Sequence, residues 1–472
     1  MSDPQSTRQE RRERFFTGLV EEYRQRFPSS QAFQARAATR LVDGGSHTLR
    51  LPSPFPLWTH QASGAYFSDR DGHHILDYWQ GHFANILGHN PPVVTQALAT
   101  ALQQGHGLQS GLQDEWEWDL ADLICQHTGA ERVRFTTSGT LATMYAILLA
   151  RSHTGRDLVL KAGGGWHGAH PWGLKGVNFG AQGYADVESA GLPASVADEV
   201  IVTRYNDVAA LDEVFRRDGD RIACFIVEPW IGSGGGVPAL PEYLSLAREL
   251  TARHGALLIC DEVIAAFRFG PSTCASLYHV TPDLTTLGKI IGGGMPVAAV
   301  AGRADILRSS GRAASRRVRF DGGTYSAHPL SLLAGATMIR HLVANQEEIY
   351  PRLGAMGVAL REAIEGAFAE EEIRVRCTGA SPAFPSSSMA YIQYPCGADL
   401  PLDSPDAIND PQQNDVDLRE RVSKLAFLIE GVHTVHGLGA LSMAHGEDEV
   451  QRTAQACRAV GRRLREAGLA GG

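Results

Sequence analysis

Residues 281–299 read TPDLTTLGKIIGGGMPVAA: an apolar strand-like run, one lysine, three consecutive glycines and a second apolar run. The lysine, Lys289, is one of only four in the chain, with Lys161, Lys175 and Lys424, although lysine and arginine together number 43. A chain that otherwise draws its positive charge from arginine keeps an amine at this point. Lysine can lose its proton and act as a nucleophile, and arginine cannot. Most lysines are solvated surface residues, but apolar and glycine flanks set Lys289 apart from that background.

The run after the glycines belongs to a longer pattern. From about residue 92 onward, helix-sized intervals alternate with ERVRF (131–135), DLVLK (157–161), EVIVT (199–203), IACFIVE (222–228), ALLICDE (256–262) and PVAAVAG (296–302). Short, almost continuously apolar strands at that spacing predict an α/β fold, with a mainly parallel sheet buried on both faces by flanking helices. Upstream, residues 6–28 have helical periodicity ending at Phe27-Pro28, and GAYFSDRDGHHILDY (64–78) alternates about an Asp71-Gly72 turn, which predicts a β-hairpin. Beyond residue 330 the pattern turns to long amphipathic helices with few strands. Three regions are therefore expected: an N-terminal segment 1–84, helix plus hairpin, packing with a smaller domain; a large domain 85–345; and a C-terminal small α+β domain 346–472. The stretch from Cys396 to Asp417, rich in Pro, Asp and Asn, predicts a surface loop.

Composition narrows the function classes. With 43% hydrophobic and 20% charged residues over 472 positions, the chain reads as a soluble globular protein with a large core. A net charge of −9 argues against a nucleic-acid partner. No apolar segment reaches membrane-span length and the first thirty residues are polar, so a cytoplasmic protein without a membrane partner is expected. Seven singly scattered cysteines read as buried thiols in a reducing compartment, and 18 histidines without HExxH or paired Cys/His spacing predict no metal site.

Open α/β sheets bind ligands at the carboxyl ends of their strands, and three of those ends carry chemistry. After RVRF comes Thr136-Thr137-Ser138-Gly139-Thr140, opening the helix LATMYAILLA; free N–H groups and hydroxyls at a helix start suit a phosphate. ALLIC ends in Asp261-Glu262, and a carboxylate at the end of a buried strand needs a partner such as a protonated ring nitrogen. The third end leads to Lys289. An anion site, an acid and an amine together describe a pocket for pyridoxal 5'-phosphate (PLP), whose phosphate, ring nitrogen and aldehyde match the three.

The chain resembles a fold-type I, class III aminotransferase, and within that family the glutamate-semialdehyde aminomutase subgroup. The motifs that carry the resemblance are ERVRFTTSGTLATM, GGWHG, IVEPWIGSGGG, HGALLICDEV, TPDLTTLGKIIGGGMPVAAVAGR and GGTYSAHPLSLLAG, in family order between about residues 40 and 455. The resemblance implies that Lys289 forms the internal aldimine with PLP and that Asp261 bonds the pyridinium nitrogen. It implies that Val263 packs on one ring face and Trp166, with His167 beside it, on the other. Ser138, Gly139 and Thr140 would hold the phosphate, Glu228 would stand near the pocket, and Thr324 would reach the phosphate of the neighbouring subunit in a homodimer. Arg50, sixteen residues before Tyr66, takes the place of an arginine that binds the substrate carboxylate, a task its planar fork suits.

The departures bear on the reaction. SGTEA of the family is SGTLA here, so Leu141 replaces an acid; FEAGFVSLAH corresponds to HGLGALSMAH, so Gly437 replaces another; and His328 replaces the asparagine of SGNP. Loss of two acids favours an aminotransferase that moves an amino group between a carboxylate-bearing amino substrate and a keto acid. The alternatives are an aminomutase, an epimerase or a decarboxylase using the same cofactor, or a catalytically silent binding relative, against which Lys289, Asp261 and the phosphate loop speak. Leu57, Trp58, His82, Phe83 and Trp172 are expected to line an apolar substrate pocket.

Overall fold

The structure, a computed structural model, describes residues 7–470. Its centre is built by the apolar runs. Strands β1 (Arg132–Thr136), β2 (Leu158–Ala162), β3 (Val200–Thr203), β4 (Ile222–Val227), β5 (Leu257–Asp261), β6 (Leu284–Leu287) and β7 (Ala298–Gly302) form one sheet in the order β1-β7-β6-β5-β4-β2-β3. Every residue of β2, β4, β5 and β6 is buried, as the covering of both faces by helices requires. All neighbours are parallel except β7, which runs antiparallel to both β6 and β1. The exception has a simple cause. Only residues 288–297 separate β6 from β7, and a parallel crossover needs a dozen or more residues. The run before Lys289, absent from the six alternating runs, supplies the seventh strand.

The helices follow local signals. Helix α1 (Arg8–Arg26) starts at a capping box between Thr7 and Glu10; Ser6, where the helical periodicity was expected to begin, lies outside the described residues. Helix α2 (Gly139–Thr154) follows β1, is capped by Ser138 and stops at left-handed Gly155. Helices α3 (Pro329–Ala344), α4 (Gln346–Glu370) and α5 (Glu447–Glu466) dominate the C-terminal third, with α4 packed along α5.

The two ends of the chain meet. Strands Thr59–Ser63, Tyr66–Asp69 and His74–Asp77 form the expected hairpin region, and Val432–His433 adds to it in parallel beside His74–Asp77. Arg463 of α5 pairs with Glu22 of α1 at 2.7 Å.

The 396–417 stretch is largely the exposed or half-buried irregular segment its composition suggests, but part of it enters the core. It contains a short helix, Pro405–Asn409, with Pro405, Ala407 and Ile408 buried. Asn414 is fully buried; its Oδ1 accepts from Tyr394 N–H at 2.8 Å, and its Nδ2 donates to Gln393 Oε1 at 2.9 Å and Ile408 O at 3.0 Å. A polar residue that satisfies its amide internally can be core, which composition alone does not reveal.

Candidate active site

Five parallel strands deliver their carboxyl ends to one cavity of about 600 Å³. The loop after β1 brings Thr137, Ser138, Gly139 and Thr140; the loop after β2 brings Trp166, His167 and Gly168; β4 leads to Glu228, β5 ends at Asp261, and β6 leads to Lys289. Val263 and Arg50 also line the cavity. Thr324, expected to serve the neighbouring subunit, does not line it. It sits in an exposed turn, where its carbonyl accepts from Gln109 Nε2 at 2.9 Å.

Lys289 stands in a left-handed backbone conformation, φ 49°, as the first residue after Gly288. A bulky residue there is uncommon and marks a position the surrounding fold imposes. Among the described residues it forms no ion pair, whereas Lys161 and Lys175 are both spoken for. Lys161 Nζ donates to the carbonyls of Gly165, Gly173 and Lys175 at 3.0, 3.2 and 2.7 Å, and Lys175 Nζ to those of Ala197 and Val200. Burial pushes the Lys289 amine down to about 8, against the pull of Asp261 and Glu228 and with a smaller push from Arg268. The amine thus gives up its proton far more readily than an exposed lysine does.

Asp261 is held from three sides. Its Oδ2 lies 2.8 Å from His167 Nδ1, and its Oδ1 accepts from Thr286 Oγ1 at 2.9 Å and from Val263 N–H at 3.2 Å. Burial lowers the pKa of His167, with Asp261 opposing the shift. The adjacent Glu262 points elsewhere: it is fully buried and accepts the N–H groups of Cys274 and Ala275 at the start of a short helix. Of the DE pair, only the first residue faces the cavity.

Glu228 accepts Trp166 N–H at 3.0 Å and Gly232 N–H at 3.1 Å, which ties the β4 loop to the β2 loop. Burial and the nearby Asp261 raise its carboxyl. Trp166 keeps 42% of its surface exposed at the cavity mouth. Lys161 braces the same loop from behind, its three carbonyl contacts fixing the turn that carries Trp166 and His167; sequence reading noted this lysine without a role.

The residues fit PLP. The N–H groups of Gly139 and Thr140 open α2 and have no intrahelical acceptor. A Cβ on Gly168 would lie 2.6 Å from Thr140 Cα, so glycine is required for the β2 loop to close over the helix start. Val263 fills the floor: a Cβ on Gly139 would meet its methyls at 3.0 and 3.1 Å. Unpartnered His167 Nε2, the unpaired Lys289 amine and the triply held Asp261 carboxylate surround the space between.

The outer wall differs from the expected apolar one. Of the five residues assigned to it, only His82 lines the cavity. Trp58 packs on Phe33 and donates to Gln34; Trp172 lies under the Arg151 guanidinium and donates to Glu199; Phe83 is core beside Tyr391; and Leu57 packs against the main hydrophobic cluster. Each of these side chains found a partner within the fold. His47, Arg50, His82 and Asn85 make the wall instead, and His47 and Asn85 carried no signal in the sequence.

His82 arrives by an unusual route. Gln80, Gly81, His82 and Phe83 are consecutive left-handed residues, with φ of 45, 63, 60 and 68°. Three of them are not glycine, and the left-handed region costs ~1–2 kcal/mol per residue, so the turn stores ~3–6 kcal/mol. The surroundings hold it. Asp77 accepts Trp79 and Gln80 N–H at 3.0 and 2.9 Å, Gln80 Nε2 donates to Asp77 O at 2.9 Å, and buried Arg268 donates to Phe83 O.

Residues 50–386 match the family described as aminotransferase class-III. The chain belongs to the class III aminotransferase family. Glutamate-1-semialdehyde 2,1-aminomutase of Pelotomaculum thermopropionicum is 35% identical over 428 residues, 90% of this chain and 95% of that one. Among solved structures, an omega-transaminase from Sphaerobacter thermophilus superposes with a TM-score of 0.83 at 30% identity, covering 92% of this chain and 98% of its own. A β-phenylalanine aminotransferase from Variovorax paradoxus gives 0.80 at 27%, covering 97% and 98%. A transaminase with PLP bound gives 0.81 at 29%, covering 94% and 99%. This class III protein is therefore a fold-type I, PLP-dependent enzyme. The names of the curated relatives favour the isomerase alternative over the transaminase reading of the sequence. No helix among the described residues is long and apolar enough to cross a membrane.

Proposed function

We propose that this class III enzyme transfers an amino group between a carboxylate-bearing amine and a separate keto acid. One observation carries the reading: the cavity wall offered to substrate consists of Arg50, His47, His82 and Asn85, and among the described residues the only acids lining the cavity are Asp261 and Glu228, both already hydrogen-bonded. Isomerisation by amino-group shift passes through an intermediate bearing two amines, and this wall offers a second ammonium no free carboxylate: burial keeps the His47 and His82 rings uncharged, and Arg50 is itself a cation. Gly437 supports the same reading. Its φ is 97° and a Cβ there would lie 2.7 Å from Ile392 O, so the backbone excludes the glutamate of the aminomutase pattern.

When bound, PLP supplies a ring that withdraws electrons from the substrate carbon. Lys289 would anchor the cofactor, and its amine, which burial lets lose its proton more readily than an exposed lysine does, would be the base that takes a proton from that carbon and returns it. Asp261, fixed by His167, Thr286 and Val263, holds a protonated ring nitrogen. Ser138, Gly139 and Thr140 bind the phosphate at the start of α2. Trp166 and Val263 would hold the ring, with Glu228 keeping Trp166 in place through its backbone N–H. Arg50 receives the substrate carboxylate. Thr324 serves the phosphate of a second subunit, in a homodimer; its exposed turn accepts from Gln109, in the segment that carries Leu108 and Leu112, which are 74% and 77% exposed.

The second reading, isomerisation of an amino aldehyde, is favoured by the names of the curated relatives. Incubating the holoenzyme with a panel of amino acids and either pyruvate or 2-oxoglutarate, then measuring new amino and keto acids, separates the two. Acceptor-dependent turnover is the expected result. Conversion of glutamate-1-semialdehyde without any keto acid, and no turnover of the panel, overturns the proposal.

A further inference from the structure

The left-handed turn at residues 80–83 has one consequence in the cavity: it sets the His82 ring beside Arg50. Arg50 Nε donates to His82 Nε2 at 3.2 Å. The ring packs against Trp79 at a centroid distance of 4.2 Å and against the edge of His47 at 4.8 Å. Among the described residues, no protein acceptor takes a hydrogen bond from the Arg50 Nη groups. We propose that His82 is a positioning residue for substrate recognition: by accepting the Nε–H of Arg50 it turns the guanidinium so that its Nη edge is presented to a carboxylate in the cavity. The inference rests on the reading of Arg50 as the carboxylate site.

The geometry explains features that otherwise have no role. An arginine at the mouth of a cavity loses several rotatable bonds of freedom when it binds, and a fixed Nε reduces what remains to be ordered. For Nε2 to accept, the ring must be unprotonated with its hydrogen on Nδ1. Burial of the ring, then Arg50, His47, Lys289 and His436, push its pKa down to about 3, so the acceptor form persists across the neutral range. A charged histidine would repel the arginine instead. The turn's strain also falls into place, since an ordinary right-handed path through Gln80–Phe83 would send residue 82 elsewhere, and strained backbone persists where the fold over-determines it.

The test uses the holoenzyme and two unreactive probes of similar size, butyrate and its neutral amide butyramide, with binding followed by ligand-observed NMR. Wild type prefers butyrate. In His82→Phe, which keeps the ring and removes the acceptor, butyrate binding weakens about tenfold while butyramide changes less than about twofold. His82→Gln, which restores an acceptor, recovers part of the loss. The same split is expected in catalysis, as a raised KM with kcat nearly unchanged for a carboxylate-bearing amine, and little change for the corresponding amine without the carboxylate. Equal losses for both probes in His82→Phe, or no loss for either, overturn the inference. Arg50→Leu separates the two layers: if it also leaves the butyrate preference intact, the carboxylate reading of Arg50 falls with it, whereas loss of preference in Arg50→Leu but not in His82→Phe overturns the role of His82 alone.

Discussion

A desolvated lysine amine inside a cavity destabilises the protein that holds it, and the size of that effect can be worked out. In the cofactor-free protein the Lys289 amine is pushed from 10.5 down to about 8. A depressed folded-state pKa on a cation means that the unfolded chain binds the proton more tightly, so stability is lowest below pH 8 and rises with pH between about 8 and 10.5. The gap of ~2.5 pH units at about 1.4 kcal/mol each is a ceiling of ~3.5 kcal/mol, reduced by solvent reaching the cavity. Lys289→Met nearly keeps the length of the side chain and keeps the left-handed backbone demand while removing the charge. It should therefore stabilise the cofactor-free protein by about 2–3 kcal/mol at pH 7. At pH 9.5 the advantage should shrink to ~1 kcal/mol. Urea denaturation of both proteins at the two pH values measures this. Lys161, also pushed down to about 8, titrates alike in both and cancels. A variant less stable than wild type at pH 7, or an advantage that does not shrink with pH, would refute the account of Lys289 as a desolvated amine held for chemistry.

Other predictions follow from the neighbouring geometry. Asp261→Ala should abolish turnover and shift the absorbance of bound cofactor, whereas Glu262→Ala should leave that absorbance unchanged and lower stability by about 1–3 kcal/mol, since two buried N–H groups lose their acceptor; absorbance and thermal melts distinguish the pair. Gly437→Glu should cost about 2–4 kcal/mol, from its left-handed backbone and the carbonyl of Ile392 at 2.7 Å from the new Cβ, without creating isomerase activity. Glu372, exposed just past the end of α4 with φ 61°, occupies a conformation that glycine adopts without strain: Glu372→Gly is expected to stabilise by ~0.5–1 kcal/mol, read as a higher Tm.

What the sequence disclosed and what it hid divide along a physical line. The strand runs were legible because burial on both faces forces continuous apolar stretches, and the carboxyl ends of those strands pointed to Ser138, Asp261 and Lys289. The antiparallel course of β7 is also set locally, since ten residues between β6 and β7 cannot make a parallel crossover. The aromatic residues near the N-terminus and after GGWHG misled, because an aromatic side chain has as many uses in packing as in a pocket. Trp172 found Arg151 and Glu199, and Trp58 found Phe33 and Gln34. Asn414 misled in the opposite direction, as a polar residue whose partners lie up to 21 positions away in the chain.

His82 shows why the outer wall of the cavity stays hidden longest. Nothing in YWQGHF announces four consecutive left-handed residues, since only one of the four is glycine and local preference opposes the conformation. The turn exists because Asp77, itself bonded to His89 at 2.8 Å and His433 at 2.7 Å, caps its start, and because Arg268 holds its last carbonyl. Those partners come from the hairpin region, from the loop after β5 and from a strand more than 350 positions downstream. The Ser138, Asp261 and Lys289 side of the cavity depends on short segments that each follow one strand, and their chemistry is written locally. The Arg50–His82 wall depends on a strained turn that the whole tertiary structure must enforce, so the residue types there become meaningful only once the chain ends have met.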